Sequence, residues 1–314
     1  MPSLKEVRTR IASVKSTQQI TSAMKLVAAS KLRKAQNAIL QMRPYANKLK
    51  EILRDLSASL DASDTSSVYS QQRDPEKVLL VLISSNRGLC GAFNANVIKN
   101  TVRHIETRYQ AQWKAGNLGL ITVGRKVSEH FSKRKYNVLE KHDAIFDDLT
   151  FENAGTIAET LMKLFSSKKY DRIEIIYNHF KNAATQKLTI EQFLPVEPVE
   201  QKEIAGATTK TDYIFEPEKE EIIQDLIPKS LKVQLYKAIL DSYAAEHGAR
   251  MTAMHQATDN AQELLRDLNI TYNKARQAAI TNETLEIIRG DGALNGEKKI
   301  LTKKALSSGS PCRM

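Results

Sequence analysis

LKEVRTRIASVKSTQQITSAMKLVAASKLRKAQNAILQMRPYANKLKEILRDLSASL, residues 4–60, can be followed in one register of alternating three- and four-residue steps. The positions visited are Leu4, Val7, Ile11, Val14, Gln18, Thr21, Lys25, Ala28, Leu32, Ala35, Ile39, Met42, Ala46, Leu49, Leu53, Leu56 and Leu60. Apolar residues at that spacing keep one stripe of a helix against a partner helix, which is the seam of a coiled coil. Three polar members, Gln18, Thr21 and Lys25, fall together, and at that level Ile20, Met24 and Val27 move the apolar stripe to another face. There the helix is read as serving two neighbours. Pro44 lacks the ladder donor and predicts a kink.

The other end of the chain repeats the pattern, through Leu240, Tyr243, His247, Arg250, Met254, Ala257, Ala261, Leu264, Leu268, Thr271, Ala275, Ala278, Asn282 and Leu285. Pro228 followed by Lys229 and Ser230 suits a helix start. At about 1.5 Å per residue, 230–288 would reach roughly 88 Å, far more than a compact domain needs. Setting the polar stretch Gln18–Lys25 beside His247–Arg250 in an antiparallel pair gives residue numbers that sum to about 270 and levels Pro44 with Pro228. In that register roughly residues 267–289 project as a single helix that still carries Leu268, Ile270, Tyr272, Ile280 and Leu285. A lone helix of that length is marginal in water, so another protein is expected to sheath it.

Between the two helices the period changes. KVLLVLIS (77–84), LGLITVG (118–124) and RIEIIY (172–177) read as buried strands, with helical stretches around 94–110, 125–135 and 153–168 between and beside them. That order is β-α-β-α with a parallel sheet. Gln186–Pro195 is a candidate further strand, and 196–221, rich in Pro, Glu, Lys and Thr, reads as an irregular connection. The expected fold class is α/β: a long antiparallel coiled coil of N- and C-terminal helices plus a central Rossmann-like α/β domain with a mainly parallel sheet. The expected divisions are 1–60 N-terminal coiled-coil helix, 61–76 linker, 77–228 central domain, 229–289 C-terminal coiled-coil helix and 290–314 disordered tail.

Basic residues exceed acidic ones by 47 to 36, and the excess is concentrated: residues 1–50 hold eleven basic residues against Glu6 alone. Such an arm should meet an anionic partner, whether nucleic acid, lipid or a carboxylate-lined protein surface. Residues 1–40 contain no Phe, Tyr or Trp for base stacking, which argues against nucleic acid. No apolar run approaches the roughly 20 residues of a bilayer span, and the N-terminus lacks a secretory apolar stretch, so a protein that stays in the cytoplasm unless it docks on a membrane complex is expected. Two cysteines, Cys90 and Cys312, provide neither a disulfide framework nor a four-ligand zinc site.

The segment SSNRGLCGAFN, 84–94, follows the first strand, where doubly wound folds bind phosphates. It lacks both GxGxxG and GxxxxGK[ST], so a tight structural turn or partner contact is favoured over a dinucleotide site. Cys90 at a helix N-terminus invites a thiol-nucleophile reading, but no histidine spacing nominates a base, and a structural cysteine is favoured. His247 and His255 lie eight apart on one helical face without a third ligand. Asp147-Asp148 and Glu218–Glu221 read as solvated surface. No catalytic residue, cofactor or metal ligand is nominated.

Four blocks then point to a family. RIASVKSTQQITSAMKLVAASKL (10–32), RGLCG (87–91), EHGARMTAM (246–254) and YNKARQAAIT (272–281) closely resemble, in order, the signatures of gamma subunits of F-type ATP synthases. The resemblance covers about residues 1–294 and implies a non-catalytic rotor: a shaft of two antiparallel helices turning inside a hexamer of alpha and beta subunits. It implies contacts of the α/β domain with the epsilon subunit and the c-subunit ring. It places Arg276 and Gln277 against an acidic beta-subunit loop, with Met24 and Lys25 near the same level. Arg87, Gly88, Cys90 and Gly91 resemble a segment near a stalk-to-ring contact, and Arg250 lies in the EHGARMTAM signature. Asn86 stands where the family usually has an acid, and twenty residues follow the usual end near Leu294. The paired-cysteine insertion of chloroplast members is missing, which fits a bacterial type on the cytoplasmic face of the plasma membrane.

Overall fold

The computed structural model describes residues 3–58, 69–196 and 219–307. Leu60 of the expected seam, residues 61–68 of the expected linker (61–76), most of the irregular connection (197–218) and residues 308–314 with Cys312 lie outside the described residues. The helices are α1 (Leu4–Ala58), α2 (Phe93–Arg108), α3 (Gln110–Lys114), α4 (Arg125–Lys133), α5 (Phe151–Ser166) and α6 (Lys219–Ser307). The strands are β1 (Val78–Ile83), β2 (Leu118–Val123), β3 (Val138–Lys141), β4 (Arg172–Phe180) and β5 (Gln186–Leu194), and a 3-10 turn spans Asp143–Phe146. The chain divides into two compact units: Ala23–His255, and the two ends, up to Ser22 and from Gln256 on.

The unit 23–255 is built on a five-stranded sheet of order β3-β2-β1-β4-β5, parallel except for β5, which is antiparallel to β4. β1 is apolar at every position because both its faces are covered. Leu79, Val81 and Ile83 meet Ile157, Leu161 and Phe165 of α5 together with Leu231, Leu235 and Ile239 of α6. Val78, Leu80 and Leu82 meet Val97 and Ile105 of α2 and Val127 and Phe131 of α4. The chain turns from β2 into α4 at Gly124, where φ is +104° and an added Cβ would lie 2.4 Å from the Ser84 carbonyl oxygen. Only glycine fits there.

The strands expected at 77–84, 118–124, 172–177 and 186–195 are all present, whereas β3 was not read from the sequence. VLEK is a four-residue edge strand with three exposed positions, so it lacks the apolar run that marks a strand.

α6 begins at Lys219, ten residues before the expected start, and carries Pro228 inside it. An internal proline costs about 3 kcal/mol. Ile227, Leu231, Leu235, Ala238 and Ile239 are buried in the sheet core around it, at about 1.5–3 kcal/mol for each large side chain, and that burial outweighs the break. The stretch 227–239 of α6 therefore belongs to the α/β core rather than to a coiled coil. α6 also continues past 290 to Ser307, through most of the expected tail; Gly290, Gly292 and Gly296 weaken a helix by about 1 kcal/mol each relative to Ala without ending it, and no proline occurs before Pro311. α1 likewise passes through Pro44 as one continuous helix.

α1 and α6 pair antiparallel, but not in the expected register. In the unit of chain ends, Arg8 Nη2 donates to Tyr272 Oη at 2.9 Å, and the hydroxyls of Thr21 and Thr258 are 2.8 Å apart. Within 23–255, Leu32 and Ala35 bury against Ala244. The two hydrogen-bonded pairs have residue numbers summing to 279–280, about ten beyond the expected value. Leu4 is thus level with about residue 276, and the single-helix stretch begins about ten residues later than expected.

Candidate functional site

Within 23–255 the turn after β1 is held by its own side chains. Ser85 N donates to Asn94 Oδ1 at 3.1 Å, Ser85 Oγ donates to the Arg87 carbonyl at 2.7 Å, and Asn94 Nδ2 donates to Cys90 Sγ at 3.2 Å. The Ser85 amide is therefore occupied, and a phosphate cradle at this turn would have to displace Asn94. Gly91 sits at φ +58° and Leu89 at φ +61°, and Leu89, 65% exposed, is presented outward between the exposed Arg87, Gly88 and Gly91. A non-glycine residue in this conformation is strained, and such strain is commonly kept where a contact uses it.

The turn is fastened to α6. Arg250 Nη2 donates to the carbonyls of Arg87 at 3.0 Å and Gly88 at 3.2 Å, while Nη1 donates to Glu246 Oε1 at 2.6 Å. Cys90 and Phe93 bury against Ala245, and Gly248 brings α6 close enough to Ala183 that a Cβ would lie 3.2 Å from its Cα. Burial raises the Glu246 carboxyl pKa, against the lowering charge of Arg250. His247 is driven down to about 3 by burial first and then by the charges of Arg250 and Lys31.

Of the residues named from the sequence, Arg87, Gly88, Cys90, Gly91 and Arg250 are brought together, but not in the same role. Arg87, Gly88 and Gly91 are exposed. Cys90 is 1% exposed and Arg250 is spent on the turn and Glu246, so these two act on the turn from beneath. Burial raises the Cys90 thiol's pKa, despite the hydrogen bond with Ser85 and the Arg250 charge that lower it, which leaves no activated nucleophile. Asn86 uses both ends of its amide internally: Oδ1 accepts from Arg125 N at 3.0 Å, and Nδ2 donates to the Asp143 carbonyl at 2.7 Å. Asn86, Asn94 and Glu246 were missed as members of this site; only the placement of Asn86 and Asn94 around the glycine-containing turn hinted at them.

On α1, Met24 is exposed and Lys25 half-buried, next to the exposed Leu26 and Val27. In the unit of chain ends, Arg276 and Gln277 are exposed on α6. Beyond them Ile280, Ile287 and Ile288 are 56%, 69% and 61% exposed. No described helix is long and apolar enough to cross a membrane.

A family model described as ATP synthase matches residues 3–294. The chain is 56% identical over 298 residues to the ATP synthase gamma chain of Christiangramia forsetii, covering 94% of this chain and 100% of that one. It is 58% identical over 297 residues to the ATP synthase gamma chain of Flavobacterium johnsoniae, with 94% and 100% covered. Among solved structures it resembles a chain of the Euglena gracilis mitochondrial ATP synthase, OSCP/F1/c-ring, with TM-score 0.66, 22% identity and 94% and 96% of the two chains covered. A chain of the Tetrahymena thermophila mitochondrial ATP synthase central stalk and c-ring matches with TM-score 0.54, 26% identity and 76% and 99% covered.

Proposed function

The chain belongs to the ATP synthase gamma chain family, the non-catalytic stalk subunits of that enzyme, and from this premise we propose how its surfaces are used. It is the central rotor of an F-type ATP synthase, coupling transmembrane proton flow to ATP synthesis or hydrolysis at the beta subunits by turning inside the alpha–beta hexamer. Its further partners are the epsilon subunit and the c-subunit ring, and it reaches the membrane only through the complex, on the cytoplasmic face of a bacterial plasma membrane.

The observation that carries this reading is the exposed apolar run Ile280, Leu285, Ile287 and Ile288 on a helix that has outrun its partner. Isolated, such a stretch is marginal in water; within a collar of other subunits it is a core. Arg276 and Gln277, just before that run, contact the acidic beta-subunit loop, with Met24 and Lys25 on α1 contributing to the hexamer-facing surface. Arginine suits this contact because its planar fork holds a carboxylate bidentately and keeps its charge. The exposed edge of the 87–91 turn faces the ring, with Arg250 and Cys90 holding its shape.

Co-purification should yield the chain with alpha and beta subunits at near 1:3:3 stoichiometry. Arg276→Ala should then lower proton pumping per ATP hydrolysed in membrane vesicles while the complex still assembles. Unchanged pumping per ATP would remove Arg276 from its assigned role.

A further inference from the structure

At the end of the sheet opposite the 85–91 turn, two arginines share a small polar cavity of about 210 Å³, walled by Gln72, Arg73, Arg172, Gln192 and Pro195. A water occupies about 30 Å³ in the liquid, so the space admits a small polyatomic ion with some of its hydration. Both guanidiniums are held in place before any ligand arrives. Arg73 lies over the Phe165 ring at 4.9 Å from its centroid, which leaves its N–H groups pointing out along its own plane. Its hydrogen bonds are a long one to the Phe165 carbonyl, 3.4 Å, and one to Gln71 Oε1, 3.1 Å. Among the described residues no ion pair involves Arg73.

Arg172 is anchored by donating from Nη2 to Gln192 Oε1. Its Nε lies 3.0 Å from Glu174 Oε1 yet is not aligned for a hydrogen bond, so charge proximity and hydrogen-bond satisfaction disagree there. Glu174 also has other partners: Tyr109 Oη donates to Oε1 at 2.6 Å, and His104 Nε2 lies 2.7 Å from Oε2. Arg108 is a further cation 3.7 Å from the same carboxylate. One buried acid thus serves several bases, and the cavity keeps a surplus of positive charge with donors in hand.

We propose that this cavity is a binding site for a small oxyanion of the phosphate class, seated between Arg73 and Arg172. Guanidinium forks match the oxygen spacing of phosphate, and partial burial limits screening by salt. The occupant ties the segment entering β1, through Arg73, to the β4–β5 pair, through Arg172 and Gln192.

Titration of the full-length chain with inorganic phosphate at near-physiological salt, followed calorimetrically, should show saturable binding of one phosphate. Arg73→Ala should weaken it at least tenfold, and Arg73→Lys, which keeps the charge but not the fork, by less. Arg125→Ala, which removes an exposed arginine at the start of α4, should leave it unchanged. Circular dichroism establishes that each variant is folded. Displacement of phosphate by ADP would identify a nucleotide-borne phosphate as the occupant, and lack of displacement the free ion; either upholds the oxyanion site. No saturable binding by the wild-type chain, or equal affinity in folded Arg73→Ala, overturns it.

Discussion

Acidification from pH 7 to pH 5 should destabilise the unit 23–255 by about 2 kcal/mol through His247. The imidazole is 5% exposed on α6, with the Tyr243 ring edge-on at 4.4 Å and the charges of Arg250 and Lys31 nearby. Its Nδ1 is 3.3 Å from Arg250 Nη1, an arrangement in which Nδ1 accepts and the proton sits on Nε2, which is buried without a hydrogen-bond partner. Adding a second proton there would place a cation among cations, and the folded pKa is accordingly about 3. In the unfolded chain a histidine titrates at about 6.5. Between those values the unfolded state binds a proton that the folded state refuses, so stability rises with pH across that window and falls on acidification. Integrating one such group from pH 7 to 5 gives about 2 kcal/mol. Glu246 and Asp241 act with the opposite sign, since burial raises both carboxyls and their protonation favours the folded state. The measurement must therefore be a difference. Urea unfolding of wild type and His247→Gln at pH 7 and pH 5, at fixed ionic strength, should show the wild type losing about 2 kcal/mol more than the variant. A wild-type-minus-variant difference that stays the same at both pH values refutes the reasoning.

Asn86→Asp should cost about 1–2 kcal/mol, because a carboxylate can still accept from Arg125 N but cannot donate to the Asp143 carbonyl and is set against it instead. Chemical denaturation checks this, and a variant as stable as wild type would mean that the Nδ2 bond contributes nothing. Gly124→Ala should cost about 3 kcal/mol or more, since φ of +104° is closed to alanine and its Cβ would lie 2.4 Å from the Ser84 carbonyl oxygen. An unshifted thermal transition would show that the β2–α4 turn relaxes without penalty.

Both long helices and the parallel sheet were legible because each buries a periodic pattern: the seam from Leu4 onward, and the continuous apolar runs of β1, β2 and β4. Length and charge hid β3, whose four residues sit at the sheet edge with three exposed. The bounds of the C-terminal helix were misread where Pro228 was taken to open it and residues past 289 as a tail, because a local penalty of about one to three kcal/mol at a proline or glycine is settled by what the flanking residues bury, as Ile227 and Leu231 do in the sheet core.

The register shows most clearly where pattern reading ends. Matching Gln18, Thr21 and Lys25 to His247 and Arg250 assumed that polar seam residues of one helix answer polar seam residues of the other. In the structure Arg250 answers Glu246 and the Arg87 and Gly88 carbonyls, while Thr21 answers Thr258. Polarity announces that a side chain needs a partner but not which element supplies it, and a turn some 160 residues away in sequence is invisible to helical periodicity. The same limit separates the members of the candidate site. Exposure leaves Arg276, Gln277, Arg87 and Gly88 able to meet another subunit, whereas Arg250 and Cys90, drawn from equally distinctive sequence blocks, are consumed within the chain. A substitution at Arg250 would therefore reach a partner only through the shape of the 87–91 turn, and would first leave the buried Glu246 carboxylate without its cation.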